Sequence, residues 1–294
     1  MERWPNFFIV GAPKAGTTSI YEYIKNHPQI FMSSIKEPNY FSINILNEND
    51  QLKPIRNKKK YLDLFKNIKN EKIIGEASPF YLSDHDAPKL IHDVSPTAKI
   101  LIIIRDPVER EFSHFLMHYA AGETVRTFHD QLQIEIKNHQ TSSEYFALKH
   151  GMYYENVKRY LDIFDKNQVK IIIFEEFIRN TEKSLQSLFD FLNIDLSIPE
   201  NVDQVYNQFA LPRNQISSSI IRNQTIKKIV KNILPRRTSI SIYETFFVKK
   251  GYKKPDMKNE DMERLVRFYQ NDVEKIKKLL GRELPWPNFQ NMDK

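Results

Sequence analysis

One stretch near the start of the chain, FFIVGAPKAGTTSIYEYI (residues 7–24), constrains the fold most strongly. Its apolar run at 7–10 predicts a buried strand, Gly11 begins a tight turn, and apolar residues then recur on one face of a helix that starts near Thr17. A strand, a glycine-containing turn and a helix N-terminus bind anions, because free backbone N–H groups and the positive end of the helix face the ligand. The stretch therefore predicts a phosphate-binding loop.

The loop departs from the Walker A pattern G-x-x-x-x-G-K-[ST] in the position of its lysine. Gly11 and Gly16 have the required spacing, but Thr17 stands where the lysine belongs, and the lysine is Lys14. Gly16 permits close approach of the backbone, Thr17 and Thr18 add hydroxyl donors, and Lys14 can reach over a bound group. The alternative is an ordinary strand-to-helix turn with a capping threonine.

Apolar runs at 72–76, 99–105 and 169–176 resemble the first one, and they suit strands that are buried on both faces. Helical periodicity lies between these runs, and a long helix from Asn259 is expected to end at Gly281. This alternation predicts a P-loop-like three-layer α/β/α fold with a central, mostly parallel sheet. Ligands of such folds bind at the carboxyl ends of the strands.

The composition favours one α/β domain over residues 1–294. The 294 residues are 40% apolar, and neither a linker nor an internal repeat divides them. Residues 121–150 and 195–255 are less regular, and we expect loops and short helices there. The absence of cysteine excludes disulfides and thiolate chemistry. Neither a signal peptide nor an apolar run of transmembrane length is present, so a cytoplasmic location is expected. The oligomeric state is not predicted.

The net charge of +7 allows two interpretations. It can attract an anionic ligand, or it can reflect a lysine-rich background. The sequence contains no recognisable nucleic-acid-binding motif, so we expect no nucleic-acid partner.

A second anion site is predicted after the strand at 99–105. Arg105 stands at the end of that strand, where a charge is costly unless it is paired or faces a ligand. Ser113 lies two turns into the helix that begins at Pro107, and the two side chains could grip one phosphate from two directions. Asp106 is expected to cap the helix. The alternative for Arg105 is a salt bridge to a nearby acid.

Two other classes of protein remain as alternatives at this point. A magnesium-dependent P-loop kinase-like phosphotransferase would need a lysine at position 17 and a strand that ends in a Walker B aspartate, and neither is present. An inactive nucleotide-binding module is the second alternative. Glu111, His114 and His118 follow an i, i+3, i+7 stripe that could bind a metal. A polar helix face explains that stripe equally well, and we predict no metal.

The two anion motifs together resemble those of sulfotransferases that use 3′-phosphoadenosine 5′-phosphosulfate (PAPS). VGAPKAGTTS resembles their 5′-phosphosulfate loop, and IRDPVEREFSHFL resembles their 3′-phosphate motif. KEPNYF, GEASPFYL, GMYYENVKRYLDIF and the late LLGRELPW also fit, so the resemblance runs along nearly the whole chain. It is closest to bacterial members of the branch that includes the heparan-sulfate sulfotransferases.

The resemblance implies the reaction and the roles of the residues. A sulfuryl group would pass from PAPS to a hydroxyl or amine of an unidentified acceptor (a saccharide, a lipid or a small natural product), with release of adenosine 3′,5′-bisphosphate (PAP). Lys14 would neutralise charge on the departing phosphate, and Glu37 would be the base. The implied donor-binding residues are Gly11, Lys14, Ala15, Gly16, Thr17, Thr18, Arg105 and Ser113.

Glu37 has an alternative reading as half of a surface Lys–Glu pair, in a loop that Pro38 holds. Since a residue before proline is disfavoured in the helical region, Pro38 predicts an extended backbone at Glu37.

Two features of the implied site stay open. Related enzymes often carry a second lysine where this chain has Ala77, and Lys36 and His85 are the candidate replacements. A late loop is also expected to complete the donor site. Arg213 is favoured for that role over the alternative pair Lys249 and Lys250.

Overall fold

A computed structural model of the chain describes residues 2–46, 53–120, 123–124, 126–138, 147–196 and 255–290. Its strands are β1 Phe7–Gly11, β2 Ile30–Met32, β3 Ile73–Ala77, β4 Lys99–Ile104 and β5 Val169–Ile173. Its helices are α1 Thr17–Ile24, α2 Lys58–Leu62, α3 Ala87–Val94, α4 Pro107–Ala120, α5 Phe128–Asn138, α6 Tyr154–Ile163, α7 Phe174–Arg179, α8 Thr181–Leu192 and α9 Asn259–Leu280.

The five strands form one sheet in the order β2-β3-β1-β4-β5, and all four pairs are parallel. β1 lies in the centre, where Phe7 is opposite Gly75 of β3 and Lys99 of β4. The chain first builds the sheet on one side of β1 and then on the other. The carboxyl end of β1 is therefore a topological switch point, which is where ligands bind in open parallel sheets.

The sheet is covered on both of its faces. Successive side chains of a strand point to opposite faces, and all five residues of β1 are buried. In β4, every residue after Lys99 is buried as well. The helices flank this sheet, so the predicted three-layer fold with a parallel sheet is confirmed.

The sequence missed or misplaced several elements. Residues 128–138 form α5 within the region that was expected to be less regular, because Phe128 packs on Phe112 of α4 with ring centroids 5.0 Å apart. The strand expected at 169–176 ends at Ile173, since α7 begins at the next residue. The edge strand β2 has only three residues and was not predicted.

The predicted last helix is confirmed. It begins at Asn259 and ends at Gly281, whose φ of 64° lies in the left-handed region that favours glycine. Within the part of the chain that the structure describes, no helix is both long and apolar enough to cross a membrane.

Candidate active site

The loop after β1 depends on two glycines for its path. Gly11 has φ 156°, and a Cβ added there would lie 2.5 Å from Leu82 Cβ and 2.8 Å from the Pro79 carbonyl oxygen. Gly16 has φ 91° at the start of α1, and its Cβ would lie 2.8 Å from the Phe174 ring. Any side chain at either position would push the loop away from its neighbours. The two glycines therefore fix the close packing of the loop at the carboxyl end of β1.

The loop leads into an uncapped helix start. Gly16 offers no side chain to cap α1, and the first turn of α1 contains no acidic residue. Ala15 and Thr17 are buried, whereas Thr18 is partly exposed. The positive end of α1 is thus left for a bound anion, as the sequence predicts.

Lys14 sits at the tip of this loop in an unusual environment. Its φ of 69° is left-handed, which costs a non-glycine residue about 1–3 kcal/mol. Burial, followed by the neighbouring positive charge of Arg105, lowers the pKa of Lys14 to about 8, while the charge of Glu37 opposes this shift. A half-buried lysine whose charge is disfavoured by burial and by a neighbouring cation is an arrangement that a bound anion would stabilise.

Arg105 lies beside the same loop. It follows β4 directly, and its Nη1 donates to the carbonyl oxygen of Lys14 at 3.4 Å. Its guanidinium carbon stands 4.8 Å from the centre of the Phe174 ring. The alternative salt bridge is present in a weak form, since Glu109 is 3.6 Å away and 45% exposed. Arg105 Nε is buried and has no hydrogen-bond partner among the described residues, so the side chain retains a donor for a ligand.

The helix after Arg105 begins as predicted. Asp106 Oδ1 accepts a hydrogen bond from the backbone N–H of Val108 at 2.9 Å, which confirms the predicted cap. Ser113 lies two turns along α4 and is partly buried. The two residues predicted to bind the 3′-phosphate are thus Arg105, directly before the capping residue, and Ser113, within the helix.

Contacts from distant parts of the chain hold the backbone on both sides of Arg105. The Tyr153 hydroxyl donates to the Arg105 carbonyl oxygen at 2.8 Å. The backbone N–H of Asp106 donates to Glu175 Oε1 at 3.0 Å, and Trp286 Nε1 donates to Glu175 Oε2 at 3.0 Å. The sequence did not predict these contacts, because each joins residues that lie 48 to 111 positions apart.

Glu37 lies at the carboxyl end of β3. Its backbone N–H donates to the Ala77 carbonyl oxygen at 3.0 Å, and Lys36 Nζ is 2.6 Å from its Oε1. The extended backbone predicted from Pro38 is wrong, because Glu37 has φ 64°. The bond to Ala77 and a second bond, from Asn39 Nδ2 to the Glu37 carbonyl oxygen at 3.1 Å, hold this turn.

Under that turn lies a buried carboxyl group that the sequence did not reveal as functional. Glu76 is fully buried and accepts hydrogen bonds from the hydroxyls of Tyr61 (2.7 Å), Ser78 (2.7 Å) and Tyr81 (2.8 Å). Ser78 Oγ in turn accepts the backbone N–H of Asn39 at 3.0 Å. Burial raises the pKa of Glu76 to about 7. The sequence does contain one indication of this group, because an acidic residue within an apolar strand is costly to bury without partners.

The structure separates the two candidates for the missing second lysine. The His85 side chain is 80% exposed and pairs with Asp86. The Lys36 side chain is 21% exposed, pairs with Glu37, and its charge contributes to lowering the pKa of Lys14. Lys36, and not His85, is therefore the cation beside Glu37 and Lys14.

The Glu111, His114 and His118 stripe does not form a three-ligand group in the described part of the chain. Glu111 pairs with the buried Arg110, and its pKa is raised to about 8, chiefly by burial. His114 and His118 face each other, with their Nε2 atoms 3.0 Å apart. Burial lowers the pKa of His114 well below its usual value. In the stripe, the carboxyl group is paired with Arg110 and the two histidines contact each other.

The residues predicted for the late loop, Arg213, Lys249 and Lys250, lie outside the described residues.

A glycine loop at the switch point of a parallel sheet, beside an arginine at a strand end, defines a P-loop-like α/β protein with an anion site. Residues 5–280 match the sulfotransferase domain family, and the chain belongs to that family. The predicted family is thereby confirmed.

Relatives agree with this assignment. Human carbohydrate sulfotransferase 15 is 26% identical over 245 residues, which cover 65% of this chain and 44% of that protein. The chain thus spans less than half the length of this relative. Mouse heparan sulfate glucosamine 3-O-sulfotransferase 5 is 23% identical, over 98% of this chain and 75% of that protein.

Solved structures show the same fold. A sulfotransferase from Alicyclobacillus acidocaldarius superimposes with a TM-score of 0.72 at 28% identity, over 96% of this chain and 98% of that chain. A mouse sulfotransferase complexed with PAP superimposes with a TM-score of 0.52 at 14% identity, over 95% of this chain and 88% of that chain, and this match supports the fold alone.

Proposed function

We propose that this protein transfers a sulfuryl group from PAPS to a hydroxyl or amine and releases PAP. The observation that carries the proposal is the surroundings of Lys14: Arg105 donates a hydrogen bond to the Lys14 carbonyl oxygen, and the charges of Arg105 and Glu37 both act on the pKa of Lys14. These three residues come from the carboxyl ends of β1 and β4 and from the loop that is bonded to the end of β3. A cation for the leaving group and a base for the acceptor are thus brought together.

The donor has two anionic groups, and the site offers a place for each. The loop from Gly11 to Thr18, with Ala15, Gly16 and Thr17, holds the 5′-phosphosulfate through backbone N–H groups and hydroxyls. Arg105 and Ser113 hold the 3′-phosphate. Arg213 completes the donor site in this proposal.

The transfer step follows from these positions. The acceptor oxygen or nitrogen attacks sulfur in line, and the bond between sulfur and the bridging oxygen breaks. The electron pair of that bond stays on the phosphate oxygen of PAP, where the Lys14 ammonium stabilises the new charge. The proton of the acceptor passes to Glu37. Side-chain cations, and not a metal ion, neutralise the leaving group in this proposal.

The ion pair with Lys36 leaves Glu37 able to act as the base. The alternative interpretation of Glu37 expects a Lys–Glu pair on the surface. The structure contains this pair, but the Lys36 and Glu37 side chains are only 21% and 30% exposed. Lys36 Nζ contacts Oε1 of Glu37, and we assign the acceptor's proton to Oε2. A pair on the surface would not explain why the Glu37 backbone N–H bonds the end of β3. It would also not explain why the Glu37 charge acts on the pKa of Lys14.

The acceptor class that the relatives favour is a saccharide, since their names include carbohydrate and heparan sulfate sulfotransferases. A small natural product and a lipid are the other classes to test. A cytoplasmic location stays a prediction, because one relative is described as membrane-associated.

Ligand-induced stabilisation tests the proposal without knowledge of the acceptor. PAP should raise the melting temperature of the full chain at concentrations well above its Kd, and ATP with Mg²⁺ should raise it far less. Arg105→Ala should shift the PAP dependence to higher concentration, whereas the control Arg282→Ala, which removes a guanidinium that is 47% exposed, should not. Equal stabilisation by ATP with Mg²⁺ would favour the kinase-like alternative.

Turnover is then measured directly. PAPS is incubated with mixtures of oligosaccharides, lipids and small alcohols or amines, and products that are heavier by one sulfuryl group are sought by mass spectrometry. PAP release that depends on an acceptor supports the proposal. PAP binding without transfer to any acceptor class would favour the inactive-module alternative.

A further inference from the structure

Three titratable side chains meet where α5 lies against the start of α9, on elements that do not carry the donor loop. His129 comes from α5, and Glu260 and Asp261 come from the first turn of α9. His129 Nδ1 is 2.7 Å from Asp261 Oδ1 and 3.3 Å from Glu260 Oε1. One possible ligand atom from each residue lies within 4.8 Å of the other two. In the described part of the chain, this is the group that has metal-ligand geometry.

We propose that His129, Glu260 and Asp261 bind a divalent transition-metal ion, with Zn²⁺ as the best fit. One imidazole nitrogen and two carboxylate oxygens are a ligand set that zinc accepts, with a water in the fourth position. Ligands at about 2.0–2.1 Å from a tetrahedral centre lie about 3.3 Å apart. The separation of His129 Nδ1 and Glu260 Oε1, 3.3 Å, already has this value. The His129–Asp261 contact must open by about 0.6 Å to reach it.

The buried carboxyl group of Asp261 is the independent reason to expect a ligand. Its side chain is only 1% exposed, and Oδ2 has no hydrogen-bond partner within the described residues. Leaving a carboxylate oxygen buried without a partner costs free energy, and His129 satisfies Oδ1 alone. A divalent ion at Asp261 would compensate the charge that the single bond to His129 leaves. This unsatisfied oxygen distinguishes the cluster from an ordinary surface group.

The other side chains near His129 and Glu260 leave room for a metal ion to bind. His129 Nε2 is 3.5 Å from Gln133 Nε2, one helical turn further along α5. Rotating that amide places Gln133 Oε1 there, where it accepts the Nε2 proton and leaves the Nδ1 lone pair facing the acids. Lys258 Nζ lies 3.6 Å from Glu260 Oε1, but its side chain is 66% exposed and can turn into solvent when an ion binds.

The site would join parts of the chain that are far apart in sequence. His129 and Asp261 are separated by 132 positions, so a shared ion ties α5 to α9. Binding to the folded state alone stabilises that state. The ion has no part in the proposed sulfuryl transfer, and the inference stands or falls independently of it.

Zn²⁺ binding to the full chain, first stripped with a chelator, tests the inference. Calorimetry should show one site with a Kd below about 1 μM, corresponding to more than about 8 kcal/mol of binding free energy, and Zn²⁺ should raise the melting temperature. Co²⁺ in place of Zn²⁺ should give the visible absorption of a four-coordinate centre. His129→Gln should weaken binding at least about 100-fold and Glu260→Gln about tenfold. Glu260 is exposed, so its variant keeps the test valid if His129→Gln fails to fold.

The matched control is His85→Gln, which removes a histidine from an exposed His–Asp pair. It should bind Zn²⁺ like the wild type. The inference is overturned if the wild type binds no Zn²⁺ in the micromolar range. It is also overturned if Glu260→Gln and His129→Gln both bind like the wild type, because the ion then lies elsewhere.

Discussion

The backbone N–H of Glu37 donates to the carbonyl oxygen of Ala77 at 3.0 Å. This bond fastens the loop that carries the candidate base to the end of β3, next to the strand from which the donor loop emerges. Ala77 is the position at which the sequence resemblance implies a lysine in related enzymes, and it is fully buried here. The backbone at this position therefore supports Glu37, and the cation near it comes from Lys36 instead.

Glu37→Gln should separate binding from transfer. The amide keeps the shape of the side chain and removes its basicity, so PAPS affinity should stay within about twofold while transfer slows by roughly 10²–10⁴. Single-turnover transfer and PAP titration measure the two effects. Glu109→Gln, which removes an acid close to Arg105 but outside the proposed chemistry, is the control. Unchanged transfer in Glu37→Gln would show that the residue is only half of an ion pair.

Lys36→Gln should slow transfer by roughly tenfold, because a partly buried positive charge beside Lys14 and Glu37 is removed. Lys36→Arg should restore most of the rate, and His85→Gln should leave it unchanged. Initial rates at saturating PAPS distinguish these variants. A slow His85→Gln together with a normal Lys36→Gln would reverse the assignment of the second cation.

The buried carboxyl group of Glu76 should make the free energy of unfolding depend on pH. Burial raises the pKa of Glu76 in the folded state to about 7 from the ordinary glutamate value of 4.5, so the folded state binds the extra proton between these pH values. The free energy of unfolding should therefore fall as pH rises from about 4.5 to about 7. Glu76→Gln should flatten this part of the curve relative to the wild type, and an exposed control, Glu182→Gln, should not.

Urea unfolding at closely spaced pH values gives these curves. Glu76→Gln should also slow transfer more than it weakens PAP binding, since Ser78 links Glu76 to the Asn39 backbone beside Glu37. A wild-type pH curve in the variant would mean that Glu76 does not hold the proton.

The lowered pKa of Lys14 predicts that the enzyme binds and uses PAPS less efficiently at alkaline pH. As the pH rises through about 8, the free enzyme loses the Lys14 charge, so kcat/KM for PAPS should fall. In Lys14→Arg the cation stays charged, and the fall should move to higher pH. The pH profile of kcat/KM for both proteins makes the comparison. Identical profiles would assign the titration to another group.

The sequence predicted the parts of the site that depend on local order. The strand, turn and helix around Lys14 are consecutive in the chain, and Arg105 follows an apolar run that the sequence predicts to be a buried strand. Topology alone then brings the ends of β1 and β4 together. These features explain why the loop and Arg105 could be expected at the same edge of the sheet.

The remaining parts depend on contacts between distant residues. The left-handed backbone of Glu37 results from a bond to Ala77, 40 residues away, which outweighs the local preference set by Pro38. Tyr61 and Tyr81 reach Glu76 only in the folded chain. The packing of α5 on α4 likewise depends on contacts of the Phe128 ring with Phe112 and Phe115. The pattern of polar and apolar residues along the chain did not reveal these contacts.

The central claim is that Lys14, the displaced lysine of the loop, acts on the leaving group of a phosphosulfate donor. Single-turnover transfer at saturating PAPS, compared between Arg105→Ala and Lys14→Ala, tests this claim most directly. Arg105→Ala should weaken donor binding by about 2–3 kcal/mol, or roughly 30- to 150-fold, and still approach the wild-type rate at saturation. Lys14→Ala should remain at least about 100-fold slower at saturation, because the charge it stabilises develops in the transition state. A Lys14→Ala enzyme that transfers at the wild-type rate once saturated would contradict the claim.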